Sequence, residues 1–577
     1  MTGKISYTQT ASTEEPRAKE PITTQKPTDI SPIEEQSTQY PTSETSTKVP
    51  STELQTTETP NTKAPDTLPL LRGTITLEAA LEEEDNVLLD LSYPEKRIDF
   101  FVWFYSRSKE IEDLVSFHLG LSPPEKCRVS AVNEWLHGSF NVCIPVYIDN
   151  RTKSPGKRVL VRFPLPYKIG EPAYPGNADE KLRCEAATYI WMQENCPDIP
   201  IPQLWGFGFA DGQTFTKPEN VHWTTRLIWY LQRQVSRIFR YPPTCHYIIR
   251  DRKNILGNGY LLMEYIDDPG VEMLSRSWDE QRHDDDKRRT LFKELSRIML
   301  SLSRIPLHCI GSWTLDSKGS IHLTNRPLTL RLHQFENEGI PTNIDRGTTY
   351  TTADSYYRDV LAYHDNRIRY QPNSIIDEKD GRAQMANLAI MRIALSALTR
   401  RDLCRGPFFF QLTDLHQSNM FVDKDWHIKY LIDLEWACSL PVEYLCPPWW
   451  LTGRFADEIT GEHLDSFHKA YQEFTDIFGE EEKGFGPNND VELYRTSIMR
   501  RGLRTGTFWY LQALDSPKGL FNIFRDHIQQ SFTSSHRTTL EFPNIVSKYW
   551  AVDADEVIET KLKDKAVYED KIRRLFQ

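Results

Sequence analysis

Past residue 120 the apolar positions run in short, Val-rich stretches, and past residue 285 they recur every three to four residues. "SFNVCIPVYI" and "KRVLVRFPLP" flank the turn-rich "DNRTKSPG", which predicts strand, loop, strand. "DEKLRCEAATYIWMQENC" then places Leu182, Ala186, Tyr189 and Ile190 on one helix face before Pro197, and "NGYLLMEYI" reads as a further buried strand. Upstream, Phe101, Trp103, Ile111, Leu114, Val115 and Leu119 have helical spacing. Downstream come three apolar stripes: Leu291, Leu295, Ile298, Met299 and Leu302; Leu388, Met391, Leu395 and Leu398; and Leu464, Phe467, Tyr471, Phe474 and Phe478. They predict helices whose apolar faces form core. Strands followed by helices indicate an α+β chain of two lobes. The expected divisions are a helical extension over 71–128, a strand-rich N-lobe over 129–266 and a helical C-lobe over 267–577.

Composition changes this picture at both ends of the charge scale. Residues 1–70 are rich in Thr, Pro, Ser and Glu and hold nine of the 36 prolines, so a disordered tail is expected, because so little apolar surface cannot offset the entropy of ordering. The net charge of −12 argues against a general nucleic-acid binder, which needs a basic surface to replace counterions. Nine scattered cysteines, without a C-x-x-C pair or zinc-ligand spacing, read as free thiols in a reducing compartment. No window approaches a membrane span and the N-terminus lacks a secretory apolar core, so a cytoplasmic location is expected. One region is basic. Residues 222–253 carry Arg226, Arg233, Arg237, Arg240, Arg250, Arg252 and Lys253, and read as a basic inserted helix. Such a helix suits a phosphate, a membrane surface or an acidic protein partner, or is simply a solvated face.

Candidate chemistry lies between "GPFFFQL" and "MFVDKDWHIKYLIDLEWA", where the polar loop "TDLHQSN" puts Asp414 and Asn419 five residues apart. "MFV", the turn "DKDW" and "HIKYLI" predict a hairpin that returns a second acid, Asp433, to the side of Asn419. Phosphoryl transfer calls for such a set: a carboxylate to orient or accept the proton of an attacking hydroxyl, and hard oxygens to hold magnesium against nucleotide phosphates. D-x-x-x-x-N with an acid on a following strand is the spacing of a kinase catalytic loop. The plain alternative is that these residues only cap a tight loop and a turn.

With these residues in view, the chain resembles the fungal branch of the aminoglycoside phosphotransferase and choline kinase-like family, a group with the protein-kinase fold. The stretch "FQLTDLHQSNMFVDKDWHIKYLIDLEWACSLPVEYLCPPWWLTG" is most similar, and "NRPLTLRLHQFENEGIP" and "DSYYRDVLAYHDNR" also look typical. The resemblance covers residues 95–530 and implies a bilobal protein-kinase-like fold binding ATP and Mg2+. It implies Asp414 as catalytic base, with Asn419 and Asp433 as magnesium ligands. It further implies a nucleotide-covering loop of Gly138, Ser139, Phe140 and Asn141, the glycine permitting close approach to phosphate. Arg162 stands where kinases carry a phosphate-binding Lys, with Glu185 as its ion-pair partner, and Met263 to Ile266, notably Glu264 and Ile266, would form the adenine hinge. Read by themselves, Gly138 is equally a turn residue and Arg162 with Glu185 an ordinary salt bridge.

The sequence departs from the family in two places. The usual His-Gly-Asp is Leu412-Thr413-Asp414, so the supporting His is missing from its place, although His416 lies in the same loop. Neither D-F-G nor A-P-E occurs where protein kinases need them, which argues against a protein substrate. Three functions therefore compete: foremost an ATP–Mg2+-dependent phosphotransferase acting on the hydroxyl of a small molecule, then a pseudokinase that binds nucleotide or a partner without turnover, and last a protein kinase. Trp449 and Trp450 read as core packing or as a stacking face for a cation. Glu435, in "DLEWA", adjoins the metal position. The acceptor is not specified by sequence.

Overall fold

The computed structural model describes residues 66–154, 156–238, 244–252, 256–485, 494–533 and 541–577. Most of the expected tail, residues 1–65, lies outside the described residues, as do Arg240, Lys253 and the side chain of Arg237. The tail's expected end at residue 70 is too late. Strand β1 (Thr67–Pro69) already pairs antiparallel with β2 (Thr74–Thr76). Next come α1 (Leu77–Glu82), whose N-terminus is capped by Thr76 Oγ1 accepting from the Ala79 N–H at 3.2 Å, and α2 (Val87–Asp90). Helices α3 (Tyr93–Tyr105) and α4 (Ser108–Leu119) follow, and α4 stops at Gly120 with φ +59°.

Strands β3 (Lys126–Val129), β4 (Leu136–His137), β5 (Asn141–Asp149) and β6 (Arg158–Pro164) precede α5 (Asn177–Asn195). After it come β7 (Leu204–Gly208), β8 (Gln213–Thr216), α6 (Trp223–Ile238), β9 (Ile248–Asp251) and β10 (Tyr260–Glu264). They form one eight-stranded antiparallel sheet in the order β3-β5-β6-β10-β7-β8-β9, with β4 on β5. Alternation assigns its faces. Val142, Ile144, Val159, Val161 and Leu262 pack with Phe104, Ile111 and Val115 of α3 and α4, whereas Leu261, Met263 and Phe207 pack with Ala186, Tyr189 and Ile190 of α5. The expected helical extension is thus part of the sheet's own core. The basic insertion is not one helix over 222–253: α6 ends at Ile238, and the β-branched pair Ile248–Ile249 enters the sheet beside β8.

In the C-terminal half, Asp285–Leu302, Glu378–Leu398 and Glu462–Phe485 are helices that bury the expected stripes. Two buried ionic joints tie this half to α5. In one, Arg326 binds Glu180 at 2.8 Å and Glu336 at 2.6 Å, while Arg346 reaches Glu180 at 3.0 Å. The other is the candidate site. The last helix, Ala554–Leu575, packs Tyr568 and Ile572 on Ala80 and Val87, and the Val87 N–H donates to Tyr568 Oη at 2.9 Å. The nine cysteines are free. Among the described residues no helix is long and apolar enough to cross a membrane.

Candidate active site

Strand Phe408–Leu412 pairs with Ala437–Pro441, anchored by buried Phe408, Phe409 and Phe410. Thr413 closes the excursion between them, its N–H and its hydroxyl each donating to Trp436 O at 2.8 Å. Inside this closed loop, Met420–Val422 and Ile428–Leu431 form the expected hairpin. Buried Trp426 turns it at φ +63° and stacks on Trp278. Two hydrogen bonds then fix the polar residues. Asn419 Nδ2 donates to the backbone oxygen of Asp414 at 2.7 Å, and the Ile432 N–H donates to Asn419 O at 3.0 Å, which sets Asp433 next to Asn419. Asp433 has φ +57°, a left-handed conformation that Asp and Asn tolerate better than most residues.

Behind the loop lies a buried web of charge. Arg162 Nη1 donates to Glu185 Oε1 at 2.6 Å, and its Nη2 binds both Asp433 Oδ1 at 2.5 Å and Glu435 Oε2. Asn141 Nδ2 donates to both oxygens of Glu435, at 3.0 and 3.2 Å, and Lys181 Nζ donates to Asn141 Oδ1 at 2.8 Å while lying 3.4 Å from Glu435 Oε1. Burial works against ionising Glu435, yet Arg162 and Lys181 outweigh it and hold the carboxyl below its usual range. For Asp433 and Glu185 burial prevails over Arg162 and pushes both carboxyls up. Asp414 is pushed up to about 7, by burial first and then by Glu435 and Asp433, while Arg331 opposes the shift.

The expected residues lie in this web or beside it. Arg162 meets Glu185 as expected, and its guanidinium is engaged by carboxylates on both arms. Asn141 points into the web, and Phe140 packs edge-on against Trp436 at 5.6 Å. Gly138 donates its N–H to Asn141 O at 2.9 Å in a tight turn, with Ser139 exposed between them. Glu264 exchanges hydrogen bonds with Gln203, at 2.8 Å from its N–H and 2.9 Å to its carboxylate, and Ile266 lies half-buried beyond the end of β10. His416 Nε2 is 3.8 Å from Asp414 Oδ1. Trp450 is buried and braces the loop by donating Nε1–H to Leu415 O at 3.0 Å, while Trp449 stacks on Phe455.

Sequence reading missed Lys181 and Arg331. The signal for Lys181 was its place one helical turn before Glu185, on the same helix face. Arg331 donates to Asp515 O at 2.7 Å and lines a cavity of about 540 Å3 together with Phe140, Tyr93, Asp90, Glu338 and Arg367.

Among the described residues no group of three or more His, Cys, Asp or Glu converges on a metal position. Asn419 uses its amide nitrogen toward Asp414, which leaves its carbonyl oxygen to accept, and Asp433 keeps one carboxylate oxygen beyond its Arg162 contact. Two hard oxygens on adjoining residues suit Mg2+, which takes one or two protein oxygens and retains water.

No family model matches the chain, and no curated protein matches it. Solved structures similar to it include LicA in complex with AMP, at 13% identity over 80% of this chain and 99% of that one, with a TM-score of 0.29. A macrolide 2'-phosphotransferase type I shares 9% identity over 77% of this chain and 97% of that one, with a TM-score of 0.30. A Plasmodium vivax ethanolamine kinase shares 13% identity over 71% and 89%, with a TM-score of 0.27. Identity and TM-score are both low, and what the site can do is read from its own geometry.

Proposed function

We propose that the chain is an ATP–Mg2+-dependent phosphotransferase of kinase-like fold that acts on the hydroxyl of a small molecule. The observation that carries this reading is the gathering of Asp414, Asn419 and Asp433 on one loop and hairpin, against the Arg162–Glu185–Glu435 web. Asp414, on the same loop as Asn419, would orient the acceptor hydroxyl and take its proton as that oxygen bonds to the γ-phosphorus and the bond to ADP breaks. Asn419 orients Asp414 through its backbone oxygen. Arg162 acts by fixing Asp433 and Glu435 and not as a phosphate clamp. Bound magnesium would neutralise phosphate charge, held by Asn419 and Asp433. The cavity flanked by Arg331 and Phe140 offers the acceptor a polar, partly aromatic space.

A second reading, nucleotide binding without turnover, is favoured by one specific feature. Of the cations of the web, Arg162 is engaged by Glu185, Asp433 and Glu435, and Lys181 by Asn141 and Glu435. Calorimetric titration with ATP, with and without magnesium, followed by ATP consumption in a metabolite extract, separates the two. Magnesium-dependent binding weakened by Asp433→Ala is expected, together with turnover that Asp414→Asn lowers about 10²–10⁴-fold at unchanged nucleotide affinity. Binding without turnover selects the second reading. Absence of nucleotide binding rejects both.

A further inference from the structure

Seven of the large apolar side chains that the described residues leave exposed belong to α6: Trp223, Leu227, Ile228, Tyr230, Leu231, Val235 and Ile238, from 49% to 76% exposed. Trp223, Leu227, Leu231, Val235 and Ile238 follow one another at helical spacing along a single face, which Ile228 and Tyr230 widen on either side. The opposite side holds the helix to the body, where Arg233 lies over the Trp229 ring and reaches Glu194 at 3.7 Å. Helix α6 leaves the sheet after β8 and the chain returns to it at β9, the sheet's edge strand, so the apolar face belongs to an excursion from the edge and not to the core. A face this wide and continuous is seldom left to water without a use.

Charge selects the occupant. From Asn220 to Lys253 the sequence holds seven Arg or Lys and one acid, Asp251, in a chain of net charge −12, and α6 itself contains no acid. A broad apolar face with Trp and Tyr, on a helix whose only charges are positive, is the pattern of a helix lying flat at a lipid–water boundary. We propose that α6 docks the protein on an anionic lipid surface, with the seven apolar side chains at the level of the acyl boundary and Arg226 at the headgroups. An acidic protein would satisfy the arginines but offers no reason for an apolar face so wide. A second copy would bring its own basic helix and repel.

Vesicle co-sedimentation of the full chain tests this without reference to catalysis. The probes are phosphatidylcholine vesicles and vesicles with a third of the lipid replaced by phosphatidylserine. Sedimentation with the anionic vesicles is expected, falling about tenfold or more on neutral vesicles and declining as salt rises. The double substitution Leu227→Glu/Leu231→Glu, at exposed positions, is expected to abolish binding while circular dichroism stays unchanged, and Arg226→Glu to weaken it several-fold. No sedimentation with anionic vesicles overturns the proposal, and so does equal sedimentation of wild type and the double variant. A wild-type dimer in solution that the double variant dissolves, without vesicle binding, also overturns it and assigns the face to self-association.

Discussion

Arg162 stands between Glu185, Asp433 and Glu435 and is 4% exposed, so three carboxylates depend on one guanidinium, with Lys181, among the described residues, as the other cation at the web. Removing one partner from a buried ionic set costs more than the set contributes, because the remaining charges stay buried without compensation. Arg162→Met is therefore expected to lower stability by about 3–5 kcal/mol, read as a shift of the urea midpoint. Arg162→Lys should lose less but still be measurable, since an ammonium cannot fork to both sides. Glu338, which lines the cavity, makes the opposite case. Burial, then Asp85 and Asp90, push its carboxyl up from 4.5 to about 7, with Arg367 opposing. A folded pKa above the unfolded one gives stability that is complete below the unfolded value and is lost as pH rises through about 7. Glu338→Gln is accordingly expected to be neutral near pH 4 and to stabilise by about 3 kcal/mol near pH 8. Thermal unfolding of both proteins at the two pH values checks this, and an equal effect at both would remove Glu338 from the account.

Elements were legible in the sequence wherever burial had a period. The Val alternation of β5 and β6, the helical stripes and the hairpin after Asn419 could be read because each residue's face follows from its neighbours in the chain. Elements too short to have a period were not legible, which is why Thr67–Pro69 passes for tail. Helix α6 was legible but its end was not, because Ile248 and Ile249 sit among the same arginines and their strand partner lies in β8. The candidate site divides in the same way. Asp414, Asn419 and Asp433 are local to one loop and could be proposed from spacing. The web that holds them could not, since Arg162 meets Glu435 across 273 positions and periodicity marks a buried face without naming the charge opposite it. Arg162 was expected to face phosphate, and that Glu435 and Asp433 meet the same guanidinium was not foreseen.

At the scale of the whole molecule, the two ends of the described chain clasp one another beside the cavity. Ile572 is fully buried against Ala80 and Val87, Lys518 binds Asp85 at 2.5 Å, and Asn373 Nδ2 donates to the backbone oxygens of Glu83, Glu84 and Asp85, the last at 2.9 Å. The segment so held, from Glu84 to Tyr93, supplies one wall of the 540 Å3 cavity. A helix at the far end of the sequence thereby positions one wall of a cavity whose Arg331 acts electrostatically on Asp414. Ile572→Glu places a charge in the middle of this small apolar cluster without touching the sheet or the catalytic loop, and is expected to detach α1 and α2 locally. Hydrogen exchange should then quicken in residues 77–91 and remain unchanged in β5 and β6. If the cavity takes the acceptor, turnover by this variant should fall mainly through a higher KM, since the base and the web are left in place. Faster exchange throughout the chain would mean that the clasp is required for global stability. A fall in kcat alone, with residues 77–91 still protected, would move the acceptor to another surface of the loop.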